Sequence, residues 1–353
     1  MNRWPVIVLG GTGYVAGEML RLVAAHPALE LRAAVSTSQA GEPIASAFQH
    51  LGPTHADDCF VSLDAALEHL HEAPHWVVLS AAPHGASAQI IADLDAQASD
   101  VGSALTIVDA SADFRFEDAE LFAEVYGQAH PASALLRKFR CAVPEQLAAI
   151  DTPHAAHPGC FATAMLLALV PLVKHGLCGE LSFQVSAVTG STGAGRTPRD
   201  TTHHPVRQSN LFAYQALKHR HAPEVCSLTR AATLRDIELH FVPHSGPFAR
   251  GIHATTFVRK AEGIDAADVH DALSEYYRDS TFVRVDKTPP RMKDIVASNY
   301  AALHAAVDGD TIAVFSVLDN LLKGAAGGSL QWVNRLLGLG ETEGLTSPAA
   351  GWL

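Results

Sequence analysis

At 353 residues the chain exceeds what one ordinary core encloses, so two domains are expected. Hydrophobic residues make up 48% and charged residues 18%, with no low-complexity tract, which excludes a disordered or fibrous chain. A net charge of −12 excludes a nucleic-acid surface of clustered Lys and Arg, and the absence of any run of ~18 apolar residues argues against a membrane partner, so a cytoplasmic protein is expected.

The first predicted elements form a βαβ unit. "VIVLGGTGYVAGEMLRLVAAHP" begins with the apolar run Val6–Leu9, turns through glycines and continues with Tyr14, Met19, Leu20, Leu22 and Val23 at helical spacing. "LELRAAVS" then alternates Leu31, Ala33 and Val35 as a second strand. The intervening "GGTGYVAG" places Gly10 and Gly13 between strand and helix, where backbone N–H groups and a helix N-terminus can hold a pyrophosphate. It departs from G-x-G-x-x-G, since Gly10 and Gly11 are adjacent and Ala16 stands where a further glycine would. Where an NAD site commonly carries an acidic residue for the ribose, this chain has Ser36, Thr37 and Ser38, and hydroxyls without a carboxylate suit a 2′-phosphate, hence NADP(H).

"WVVLSAAPHG" (76–85) and "LTIVDAS" (105–111) are further strands with the helix "ASAQIIADLDAQA" between them, an alternation that predicts a mostly parallel, doubly wound sheet. "DASADFR" (109–115) ends its strand with Asp109, Ser111, Asp113 and Arg115, suited either to turn chemistry or to an anion. In "HPGCFATAMLLALVP" (157–171), Gly159 permits a sharp turn, and a helix starting just beyond it would set Cys160 against N–H groups whose positive potential favours thiolate. The other cysteines (Cys59, Cys141, Cys178, Cys226) are scattered and form no C-x-x-C, so they read as small hydrophobes, with no disulfide framework. The twenty histidines lack companions at ligand spacing, so no metal site is expected.

Beyond Cys160 the texture changes to an α+β pattern. "LSFQVSAVTG", "IELHFVP", "GIHATTFVRK" and "TIAVFSVLDN" read as strands and "AADVHDALSEYYRD" as a helix with Leu273, Tyr276 and Tyr277 on one face. "TGSTGAGRTP" (189–198) combines three glycines, hydroxyls and Arg196, a composition that can wrap an anion with backbone donors and a guanidinium. "YQALKHRHAPEV" offers His219 and His221 as proton partners for a thiol; read as extended, it points alternate residues to opposite sides, so only one would face Cys160. The residues leave open which. "NLLKGAAGGSLQWVNRLLG" reads as one last long helix, weakened by Gly324, Gly327 and Gly328, packing back on the first domain.

In sequence order, "GGTGYVAGE", "APHGAS", "DASADFR", "HPGCFATA", "TGSTGAGR", "HRHAPEV", "FVPHSGPFARGI" and "DNLLKGAA" together resemble the N-acetyl-gamma-glutamyl-phosphate reductases of the semialdehyde dehydrogenase superfamily, with Pro-Gly-Cys-aromatic-x-Thr the most specific element. The chain departs from that pattern at Ala155-Ala156, where a larger aliphatic is common, and at Phe248-Ala249 before Arg250. The resemblance implies an α/β fold: a Rossmann-like doubly wound NADP-binding domain over 1–157 and 322–353, with a catalytic and dimerisation α+β domain over 158–321. It further implies Cys160 as nucleophile and one histidine of the pair, taken as His221 with His219 beside it, as acid/base. Gly10, Thr12, Gly13, Tyr14, Val15, Ser36, Ser38, Ala81 and Pro83 would hold NADP(H), Asn320 would face the nicotinamide, and Ser111, Arg115, Ser191, Gly193 and Arg196 would receive an acyl-phosphate substrate and its phosphate. A homodimer or homotetramer is implied. Two other readings stay open: a related reductase of aminoadipyl or aspartyl phosphate, and a non-catalytic NADP-binding sensor, which the presence of Cys160 disfavours.

Overall fold

A computed structural model describes residues 3–352. The chain divides into two units. The first contains the residues up to Ala142, Ala149–His157 and Ala325–Thr346; the second contains Val143–Ala148, Pro158–Gly324 and the segment from Ser347.

The first unit opens with β1 (Trp4–Leu9), α1 (Tyr14–Ala25), β2 (Leu29–Val35), the short α2 (Ile44–Ala47), β3 (Phe60–Val61), α3 (Leu63–Glu68), β4 (His75–Ser80), α4 (Ser87–Val101) and β5 (Ala104–Asp109). α5 (Ala119–Tyr126), β6 (Phe139–Cys141) and β7 (His154–Ala156) follow. The seven strands lie in the order β3-β2-β1-β4-β5-β7-β6, every pairing parallel. A parallel sheet is covered on both faces, which is why β1 and β4 are continuous apolar runs: Val6–Leu9 and Trp76–Leu79 are all essentially inaccessible. Strand order reverses between β1 and β4, the crevice where doubly wound sheets bind ligands. Local punctuation sets the helices. α1 stops at His26, ahead of Pro27, and Gly102 and Gly127 end α4 and α5 in left-handed turns at φ 71°.

The second unit is a mixed sheet with helices on one face. Its elements are α6 (Cys160–Lys174), β8 (Ser182–Thr189), the short α7 (His204–Arg207), β9 (Phe212–Ala213), α8 (His221–Thr233), β10 (Glu238–Ser245), β11 (Ile252–Arg259), α9 (Ala266–Tyr276), β12 (Val283–Val285), β13 (Ala301–Asp308) and β14 (Thr311–Leu318). The sheet order is β12-β13-β14-β11-β8-β10-β9. α6 is apolar all round, and every residue from Phe161 to Val173 is buried, because it is held between β11 and β14 on one side and α8 and α9 on the other. β13 (AALHAAVD) escapes a propensity reading because alanine favours strands weakly; eight consecutive pairings with β14 make it one.

After β14 the expected single helix is a π-turn, Leu322–Ala326, followed by α10 (Gly327–Leu336). The Asp319 carboxylate accepts the Leu321 and Leu322 N–H groups (2.8 and 3.0 Å) and the glycines lower helix propensity, so the segment starts irregularly. α10 packs on β5 and α1. There Gly328 meets the His157 ring so closely that a Cβ would come within 2.1 Å of it, and the Asn334 Oδ1 lies 3.0 Å from His26 Nε2. Among the described residues no helix is long and apolar enough to cross a membrane.

Candidate active site

In the first unit, the β1–α1 turn is shaped by contact with β4. Gly10 has φ +79°, and a Cβ there would lie 2.3 Å from the Ala81 oxygen; one on Gly11 would strike the Phe60 ring and the Val35 oxygen, both at 2.9 Å. Gly13, the residue before α1, has only the Gly10 oxygen nearby (3.7 Å), leaving room where a phosphate would sit. No side chain caps α1 and no acidic residue occupies its first turn, so its N-terminal N–H groups suit an anion. The turn therefore fits a dinucleotide pyrophosphate, with Thr12, Tyr14 and Val15 at its rim and Ala81 and Pro83 on the neighbouring strand end. At the end of β2, the buried Ser36 hydroxyl accepts the Gln39 N–H (3.2 Å), whereas Thr37 and Ser38 are exposed.

The "APHGAS" and "DASADFR" motifs brace one another. Asp113 accepts the N–H groups of Gly85 (2.8 Å) and Ala88 (3.0 Å), and His84 Nδ1 accepts that of Ala112 (2.9 Å). Asp109, fully buried, accepts hydrogen bonds from the Ser111 hydroxyl (2.6 Å), the Ser111 N–H and the Ser87 hydroxyl. Burial pushes its carboxyl up to about 6, opposed by those bonds and aided by the Asp113 charge. Arg115 donates to the carbonyls of His157 (3.2 Å) and Ala110 (2.9 Å). The donors of Ser111 and Arg115 thus secure this loop within the unit.

In the second unit, Cys160 is the first residue of α6, with extended Gly159 before it and no side-chain cap. Gly159 is fixed from both sides. Its N–H donates to Glu224 Oε1 (2.7 Å), and its carbonyl accepts the Thr163 N–H (2.7 Å) and hydroxyl (3.1 Å). A Cβ on Gly324 would lie 2.8 Å from the Cys160 Cβ, so the chain leaving β14 passes directly over the cysteine. The sulfur therefore stands at an uncapped helix N-terminus, where the helix field favours thiolate.

Both histidine rings group on Phe161, the residue after Cys160. The HRH segment is a helix start rather than an extended run: His221 is the first residue of α8, and Pro223 and Glu224 complete its first turn. The rings of His219 and His221 lie 4.6 Å apart, and both meet Phe161, the neighbour of Cys160, at 5.9 and 6.2 Å. His219 Nδ1 accepts the His221 N–H (3.2 Å), so the neutral His219 ring carries its proton on Nε2. Burial, with the Arg220 charge second, pushes His219 down to about 4. Tyr214, whose ring is 5.8 Å from His219, is raised above the ordinary tyrosine value by burial and next by the charge of Cys160, against Arg220.

The 189–198 loop differs from an open anion cradle. The N–H groups of Ser191, Thr192, Gly193 and Gly195 already donate to the carbonyls of Phe248, Ala249, Gly190 and Thr192. Recognition there falls to side chains, the half-buried Ser191 and the exposed Arg196, while Gly193 stands exposed against Thr189. Asn320 ties the loop down: its Oδ1 accepts the Gly251 N–H (2.7 Å) and its Nδ2 donates to Thr192 Oγ1 (2.9 Å). Two residues outside the predicted set hold the same corner. Arg250 makes a two-point bond to Asp319 (3.0 and 3.1 Å), and Asp319, with no exposure, also accepts the Ala297 N–H (2.7 Å). Glu224 was likewise missed; an acidic residue three positions after a helix-starting His was its only signal.

A nucleotide-type turn on a parallel sheet, and a helix-start cysteine beside two histidines on a mixed sheet, define a phosphorylating semialdehyde-type oxidoreductase. Residues 5–157 match the semialdehyde dehydrogenase NAD-binding domain and residues 160–320 the semialdehyde dehydrogenase dimerisation domain, and the chain belongs to this family. It is 36% identical to an N-acetyl-gamma-glutamyl-phosphate reductase of Rhodospirillum rubrum (98% of this chain, 97% of that one) and 34% identical to one of Methanopyrus kandleri (97% of each). It is 33% identical to an Aeropyrum pernix protein provisionally named a LysW-L-2-aminoadipate/LysW-L-glutamate phosphate reductase (97% of each). In fold it resembles aspartate semialdehyde dehydrogenase II of Vibrio cholerae complexed with ASA (TM-score 0.67, 16% identity, 96% of this chain and 99% of that one). It also resembles the Candida albicans aspartate semialdehyde dehydrogenase with NADP (TM-score 0.65, 17% identity, 96% and 99%).

Proposed function

We propose that this enzyme reduces N-acetyl-gamma-glutamyl phosphate to N-acetyl-L-glutamate 5-semialdehyde with NADPH, releasing phosphate, as a step of arginine biosynthesis. We read it as a cytoplasmic homodimer or homotetramer. The observation that carries this reading is Cys160 at the uncapped start of α6, with His219 and His221 grouped on Phe161 next to it. The reductases of R. rubrum and M. kandleri, matched over nearly their whole lengths, support the substrate. Thr37 and Ser38, exposed at the end of β2 where the sequence Ser36-Thr37-Ser38 holds no acidic residue, support NADPH over NADH.

In the reaction, the Cys160 sulfur attacks the acyl carbon, the C–O bond to phosphate breaks and a thioester remains on the enzyme. His221 holds the thiol proton. Bound NADPH supplies the hydride that reduces the thioester. The resulting oxyanion of the Cys160 thiohemiacetal takes a proton from His221, and collapse returns that proton to His221, expels the thiolate and frees the aldehyde. N–H groups of the first turn of α6 offer donors to the oxyanion, and Arg196 offers positive charge to the departing phosphate. The acid role goes to His221 because His219, neutral above about pH 4, has no cationic form to donate at working pH. His221→Asn should lower kcat by about 10²- to 10³-fold, and His219→Gln by less than about tenfold, read in steady-state kinetics on both variants; the reverse ranking would exchange their roles.

The A. pernix relative, nearly as similar as the others, favours a second reading in which the substrate is a longer aminoadipyl phosphate. The deciding assay runs in reverse, with semialdehyde, phosphate and NADP⁺. N-acetylglutamate semialdehyde should exceed the aminoadipate and aspartate semialdehydes in kcat/KM by at least about tenfold, and equal or lower activity would remove the assignment. A preference for NAD⁺ would overturn the cofactor reading.

A further inference from the structure

The second unit holds a buried cation that the mechanism does not use. Arg207, the last residue of α7, is 9% exposed, and none of its three guanidinium nitrogens has a hydrogen-bond partner among the described residues. The guanidinium lies over the Phe212 ring, 5.8 Å from its centroid. Burial lowers its proton affinity. An uncompensated buried guanidinium is costly to the free protein, and its planar fork matches a carboxylate or phosphate in two-point geometry.

The surrounding register puts this group at the working end of the sheet. Phe212 of β9 pairs with Ser245 of β10, which pairs with Thr189 of β8, so the three side chains share one face. Thr189 leads directly into the Ser191–Arg196 loop, and its hydroxyl is a second buried polar atom without a partner among the described residues. Two residues beyond Phe212 stands Tyr214, against His219 and within the field of Cys160. The connecting chain is tightly wound, with Ser209, Gln215 and Leu217 at φ 54°, 45° and 61°.

We propose that Arg207 recognises the α-carboxylate of the substrate, holding the far end of an N-acylated amino acid whose ω-acyl group reacts at Cys160. This rests on the acyl-phosphate reductase reading above. The substrate's other anionic group is its phosphate, for which the family resemblance names Ser191 and Arg196, and this leaves the carboxylate for Arg207.

The test uses the full-length enzyme in the reverse direction, with wild type, Arg207→Met and Arg207→Lys. Arg207→Met should raise the KM for N-acetylglutamate semialdehyde about 100-fold, leave the KM for phosphate within about twofold and change kcat by less than about tenfold. Arg207→Lys should fall between. The α-methyl ester should be a much poorer substrate than the free acid for wild type and nearly equal to it for Arg207→Met. Melting temperature separates recognition from a structural role: Arg207→Met, which removes an uncompensated buried charge, should melt at or above wild type. A raised phosphate KM with an unchanged semialdehyde KM would assign the group to phosphate and overturn the proposal. So would a lowered melting temperature with unchanged ester discrimination, or a change of oligomer mass with unchanged KM, which would give Arg207 to a partner subunit. If wild type turns over no semialdehyde, the reductase reading itself falls, and this assignment with it.

Discussion

Cys160→Ala should lose reductase activity by about 10⁴- to 10⁶-fold in kcat, since no other group described at the start of α6 can carry the acyl chain. NADPH binding, followed by nicotinamide fluorescence, should be unchanged. The variant leaves the backbone of the first turn intact, because Gly159 is held by Glu224 and Thr163 rather than by the thiol. Intact-protein mass spectrometry gives a second readout. Wild type given acyl phosphate without NADPH should gain the mass of the acyl group, and Cys160→Ala should not. Full activity in the alanine variant would end the covalent mechanism for any acyl phosphate.

The second large effect concerns stability. Lys323 of the "DNLLKGAA" motif is fully buried and bonded through Nζ to Glu145, itself nearly inaccessible, with the ammonium 5.7 Å over the Phe282 ring. Both residues belong to the second unit. Truncating one partner takes the opposite charge away from a buried ion, a cost of about 3–5 kcal/mol. Lys323→Met or Glu145→Met should therefore lower the melting temperature by on the order of 10 °C. The double variant, which removes both charges, should recover most of that loss, because an apolar pair of similar volume replaces a buried ion pair at little cost. Equal melting of wild type and the single variants, followed by circular dichroism, would show the pair to be energetically idle.

What could be read from the residues was local. The Gly10–Gly13 turn and the Pro158-Gly159-Cys160 helix start announce themselves within a few positions, because a turn that only glycine fits, or a helix N-terminus, is specified by adjacent residues. Pro223 and Glu224 carried the same kind of signal for α8; treating His219-Arg220-His221 as extended overlooked it, and with it the grouping of both rings on Phe161. The supports of the site were not legible. Gly159 with Glu224, Arg250 with Asp319 and Glu145 with Lys323 join positions 65, 69 and 178 residues apart, and no local pattern encodes such pairings. Arg207 was invisible for the opposite reason. Its interest lies in the partner it lacks, and only burial reveals that.

The discontinuous make-up of the first unit bears on how the protein is born. Its sheet is complete once His157 has been made, yet α10, which covers β5 and α1 and seats Gly328 on the His157 ring, is encoded after the long Pro158–Gly324 stretch of the second unit. At ~5–20 residues per second, a ribosome needs on the order of ten seconds or more to cross that interval. For that time the nascent sheet carries an uncovered apolar face, a surface that invites chaperone capture. The order of the gene makes the first unit to emerge among the last to finish folding.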